Sequence, residues 1–164
     1  MKAFSNLAII ISLTFTYVSV QAQTELKFSP QQLVIMVPDV DASAQWYVEK
    51  LDFEMGKPFQ VPEKGLTGRL VRKADFEIMF MRSKNMKPLP QYRKTSFEDL
   101  AVAGVKRIAF KVDNLKEFAE SLKERGVNFD VPVVLFHDPD SGVKFYWCII
   151  KDYNGNLVEF MEIL

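Results

Sequence analysis

The chain has 164 residues, with 21 Lys and Arg against 21 Asp and Glu, one histidine and one cysteine. A formal charge of zero leaves no electrostatic footprint for nucleic acid. A single cysteine excludes an intrachain disulfide framework, and a single histidine excludes any site built within the chain from two imidazoles.

The N-terminus reads Met1, Lys2 and then an almost wholly apolar run from Leu7 to Val20, closing on the small residue Ala22. This is the pattern of a signal peptide over residues 1–22. The run is short for a membrane span and is followed by polar Gln23, Thr24 and Glu25, and no cysteine stands at its end to carry an acyl anchor. The expected mature chain is therefore exported, periplasmic or extracellular, with no membrane attachment after cleavage. It would start near Gln23, with residues 23–31 as an N-terminal extension, and is of a size for one domain.

Gln32 to Val37 is a short run rich in branched residues that stops at Pro38-Asp39, which predicts a strand. From Asp41 to Leu51, Ser43, Trp46 or Tyr47, and Lys50 or Leu51 recur at helical spacing behind Asp39 or Asp41 as N-cap. Three strand-like stretches follow, Phe53 to Phe59, Gly68 to Lys73 and Phe76 to Arg82, separated by Pro62, Gly65 and Ala74-Asp75. The first half, residues 32–82, reads βαβββ.

Residues 83–104 carry Pro88, Pro90 and the basic Lys87, Arg93 and Lys94, and read as a linker with a solvated face. A short helix could start there at Ser96, with Asp99 at the third position of its cap. Residues 105–163 then repeat the first order. Lys106 to Val112 is a strand, and Asp113 or Asn114 caps a helix whose Leu115, Phe118, Ala119 and Leu122 fall at i, i+3, i+4 and i+7 before Gly126. Asn128 to Phe136, Val143 to Lys151 and Leu157 to Ile163 follow as strands, joined by turns at Asp138 to Gly142 and at Asn154-Gly155. His137, beside the first of these turns, reads as an exposed loop residue. Cys148 lies inside an apolar strand and reads as a buried, inert thiol.

Three landmarks stand in order along this duplicated pattern. Val37 to Ser43 leads to Trp46-Tyr47 and Leu51-Asp52-Phe53; Ile108 to Asp113 follows; Asp152-Tyr153-Asn154-Gly155-Asn156-Leu157-Val158-Glu159 closes the set. Together they resemble the vicinal oxygen chelate superfamily of glyoxalase, bleomycin-resistance and extradiol-dioxygenase proteins, over residues 32–163. Asp52 departs from the usual glycine and Tyr153 from the usual proline. Asp tolerates the left-handed backbone better than most residues, so the fold is unaffected. The resemblance implies an α+β domain of two βαβββ modules, forming a curved mixed sheet with a concave cleft and helices on the convex side.

Strand alternation then sorts the side chains. Leu33, Ile35, Val37, Ile108, Phe110, Val112, Val158 and Phe160 face the helices. Gln32, Val34, Met36, Arg107, Ala109, Lys111, Leu157, Glu159 and Met161 face the cleft, and Tyr146 and Trp147 point opposite ways. In the superfamily's metal enzymes, ligands stand at the start of each module's first strand and near the middle of its last. Carried over, those positions are Gln32, Met79, Arg107 and Glu159. Amide oxygen and thioether are weak ligands, a guanidinium is repelled by the ion, and only Glu159 remains an ordinary donor.

The expected ligand-binding cleft thus holds Gln32, Met36, Met79, Arg107, Lys111, Glu159 and Met161, with no metal and no cofactor. Its partner is a small molecule, amphipathic or anionic, and Arg107 is expected to approach Glu159. The function read from this is small-molecule binding without a catalytic metal. The alternative is a lyase, isomerase or dioxygenase with Glu159 as general base or metal ligand. A third reading makes the cleft a homodimer contact.

Overall fold

The computed structural model describes residues 29–87, 99–101 and 103–164. The expected signal peptide and Ser96 of the linker lie outside the described residues, while Asp99 and Leu100 are helical. The elements in chain order are β1 (Gln32–Met36), α1 (Val40–Leu51), β2 (Glu54–Val61), β3 (Leu66–Lys73), β4 (Phe76–Ser83), β5 (Arg107–Lys111), α2 (Leu115–Glu124), β6 (Phe129–His137), β7 (Lys144–Lys151) and β8 (Leu157–Ile163). They form two four-stranded sheets, ordered β1-β4-β3-β2 and β5-β8-β7-β6. In each, the first strand runs parallel to the last and the remaining pairs are antiparallel. The duplicated βαβββ order predicted from the sequence is the architecture of the molecule.

Local chemistry sets the helix ends. Asp39 caps α1 by accepting the Ala42 N–H at 3.0 Å, and Asp52 ends it in the left-handed conformation at φ 55°, its N–H returning to the Tyr47 carbonyl. Asp52 thus occupies the backbone well that a glycine would otherwise fill. Asn114 caps α2 through the Glu117 N–H at 3.3 Å, and Gly126 leaves the helix at φ 73°. α1 buries Ser43, Ala44, Tyr47 and Leu51, and α2 buries Leu115, Ala119 and Leu122.

The boundaries fall within two residues of the sequence reading, β3 for example starting at Leu66 rather than Gly68, and two of the differences bear on the argument. β2 runs past Pro58 to Val61, because it is an edge strand whose register shifts between Met55 and Pro58, where a missing N–H costs no ladder bond. His137 is the last residue of β6, opposite Lys144, rather than a loop residue, though it is exposed as expected.

One hydrophobic cluster draws on both modules. Tyr47 packs edge-on to Phe53 at 5.4 Å, and Phe110 of the second module meets Phe53 at 6.2 Å, Phe76 at 5.7 Å and Phe160 at 5.8 Å. Polar contacts clasp the same junction. The Tyr47 hydroxyl donates to Asp152 Oδ2 at 3.3 Å, Asn154 Nδ2 to Ser43 Oγ at 2.9 Å, and Arg125 to Asp52 Oδ1 at 2.6 Å. Burial raises the Asp152 carboxyl above its usual range, although the Asn156 side chain and the Asn156 and Asn154 N–H groups donate to it. Cys148 is fully buried and desolvation pushes its thiol up to about 11, the unreactive state expected of it.

Candidate functional site

Ladder register places equivalent residues of the two modules on the helix-free faces. In the first sheet Val34 pairs with Met79 and Met36 with Met81; in the second Ala109 pairs with Glu159 and Lys111 with Met161. Gln32 and Met79 therefore stand where Arg107 and Glu159 stand in the other half. Trp147, opposite Met161, shares the helix-free face of its sheet, whereas Tyr146 turns to the helix side with Lys116 4.6 Å above its ring.

Arg107 Nε lies 2.9 Å from Glu159 Oε2. Glu159 is 7% exposed and Arg107 remains open to solvent along one side. A guanidinium has five N–H donors, so the contact to Glu159 leaves its other edge available to a further acceptor. The two positions that would ligate a metal in this module thus hold a cation against the one carboxylate. In the other module the equivalent positions offer an amide and a thioether. This donor set does not fit a divalent ion. No cluster of three or more His, Cys, Asp or Glu side chains arranged for a metal occurs among the described residues.

β1 and β5 are edge strands of their own sheets, and a groove of 820 Å³ runs between them. Of the seven cleft residues expected from the sequence, Met36 and Arg107 border this groove; Gln32, Met79, Lys111, Glu159 and Met161 do not. Lys87, Lys106, Asn154 and Asn156 line it and were not anticipated. Lys87 reads from sequence as a solvated linker residue, and strand period gives no clue to which edges approach each other. Lys106 Nζ lies 3.5 Å from the buried Asp99 Oδ1.

A duplicated βαβββ domain with a groove between its two first strands defines a class, and the comparisons agree with it. The family model described as the Glyoxalase/Bleomycin resistance protein/Dioxygenase superfamily matches residues 29–160. The chain belongs to that superfamily. It is 26% identical over 136 residues to the ethylmalonyl-CoA/methylmalonyl-CoA epimerase of Cereibacter sphaeroides, covering 80% of this chain and 95% of that protein. A solved glyoxalase family protein from Enterococcus faecalis superposes with a TM-score of 0.63 at 25% identity, over 82% of this chain and 97% of the other. One from Bacillus cereus gives 0.64 at 16% identity, over 87% and 99%.

Proposed function

We propose that the mature chain is an exported small-molecule-binding protein of this superfamily that works without a catalytic metal. The observation that carries the reading is the Arg107–Glu159 ion pair. A divalent ion at that point would have to displace a cation already held by the carboxylate, and Gln32 and Met79 offer little in exchange. Export rests on the run from Leu7 to Val20 and the Ala22 boundary. No helix among the described residues is long and apolar enough to cross a membrane.

The test is N-terminal sequencing, elemental analysis and native mass spectrometry of the protein taken from its own compartment. The expected result is a start near Gln23, no stoichiometric Zn, Fe, Mn or Ni, and a bound organic molecule. About one equivalent of metal per chain, lost in Glu159→Gln, would overturn the metal-independent reading.

The likeness to the Cereibacter epimerase favours a second reading, in which Glu159 takes the α-proton of an acyl-CoA substrate and water protonates the resulting enolate on its opposite face. Arg107 would then orient the base. Interconversion of methylmalonyl-CoA epimers by the purified chain, abolished in Glu159→Gln with binding kept, would select this reading over the first.

A further inference from the structure

Among the described residues, those lining the β1–β5 groove include three cations, Lys87, Lys106 and Arg107, and no Asp or Glu. The carboxylates that steady two of them sit outside the groove: Asp99 behind Lys106 and Glu159 behind Arg107, both buried. Each pairing fixes a long side chain in place while leaving donors that its carboxylate does not use, since an ammonium has three and a guanidinium five. On the wall beside these cations, Val34 is 51% exposed, Met36 46% and Val105 83%. Apolar surface of this kind, next to positive charge and inside a concavity of small-molecule size, matches one ligand chemistry on both counts.

We infer that the groove binds an amphipathic anion, an aliphatic chain ending in a carboxylate. The head meets Lys106 and Arg107, with Lys87 at the mouth, and the chain lies on Val34, Met36 and Val105. This deepens the metal-independent reading and rests on it, because Arg107 serves here as a fixed cation. The site lies between the two edge strands, so neither module forms it alone.

The probe is decanoate below its micellar concentration, titrated calorimetrically into the mature chain beside 1-decanol and decyltrimethylammonium. Decanoate should bind at a single saturable site at least roughly tenfold tighter than decanol, the worth of one charge-assisted contact, and the ammonium should not bind there. Val34→Glu, which sets a carboxylate on a half-exposed wall position, should abolish decanoate binding with the melting temperature unchanged. Lys106→Met should erase the preference for decanoate over decanol, and Lys87→Gln should weaken it by a few-fold if Lys106→Met fails to fold. Equal binding of decanoate and decanol, or decanoate binding that survives Val34→Glu, would overturn the inference. A metal-free protein with either of those results refutes this ligand assignment alone, whereas a stoichiometric metal refutes the reading beneath it.

Discussion

The two modules share a lattice and differ in what they set on it. On the helix-free face of the first, Gln32, Val34 and Met36 run beside Met79 and Met81; at the same register in the second stand Arg107, Ala109 and Lys111 beside Glu159 and Met161. The bulky residue also changes strand. In the first module Phe59 of β2 covers Gly68 of β3, which pairs with Met81; in the second Val134 of β6 faces Trp147 of β7, which pairs with Met161. Backbone geometry is conserved between halves because the helix-facing residues and caps conserve it. The open faces are under no such constraint: the first keeps its ion pair, Arg72 with Glu77, beside a sulfur-rich centre at Met79 and Met81, whereas the second sets its ion pair, Arg107 with Glu159, at the centre.

The largest effect should come from the charged face. Arg107→Met leaves Glu159 without its counter-charge in a nearly buried position and should cost about 2–3 kcal/mol, less than a fully enclosed pair because Arg107 keeps some solvent. Adding Glu159→Leu should recover most of that loss in denaturant melts. Gln32→Met and Met79→Leu, at the equivalent positions, should add within about 0.5 kcal/mol; coupling there as strong as in the second module would erase the contrast.

Next in size is the glycine that the first module uses where the second has tryptophan. A Cβ at Gly68 would run into the Phe59 ring and approach the Phe80 carbonyl to 2.9 Å. Gly68→Ala should therefore cost roughly 1–3 kcal/mol, and Phe59→Val in the same chain should restore part of it. Thermal melts of the single and double variants measure this directly.

Tyr47→Phe removes a hydroxyl that joins the modules and should cost about 1 kcal/mol, since Asp152 keeps its contacts from Asn154 and Asn156. The smallest effect concerns pH. The Asp152 carboxyl is raised by burial, so its protonated form favours the fold: that contribution is complete below the ordinary carboxylate range and is lost as pH rises through the raised value. Asp52, lowered first by its hydrogen bond from Arg125, acts in the opposite sense, present above the ordinary value and lost as pH falls, but its exposure keeps it weak. Melting temperature followed upward from the ordinary carboxylate range should fall more steeply in the native chain than in Asp152→Asn.

Periodicity carried most of the fold. Leu115, Ala119 and Leu122 mark the buried stripe of α2 in sequence and in structure. In α1 the spacing left Trp46 and Tyr47 as alternatives, and Phe53, Phe80 and Asp152, the partners that enclose Tyr47, lie outside the helix, the last more than a hundred residues away. The approach of Arg107 to Glu159 was legible because alternation and strand order both act within one module. The groove was not. Lys87, Lys106 and Asn154 reach it through the packing of one sheet's edge against the other's, and a sequence read strand by strand holds no term for that distance.

Among the described residues every strand pair lies within a module. β4 ends at Ser83, so the first sheet has all its partners before β5 has been synthesised. The first half can therefore close its hydrogen-bond ladders without the second, while Phe53 and Phe76 wait for Phe110, and Tyr47, Ser43 and Asp52 wait for Asp152, Asn154 and Arg125. The seam between the halves includes the Tyr47–Asp152 bond and the Phe110 contacts, which join residues far apart in sequence and so carry a high loop-closure cost. Changes to them should quicken unfolding and leave the folding rate nearly unchanged, which folding and unfolding rates of Tyr47→Phe measured against denaturant would check.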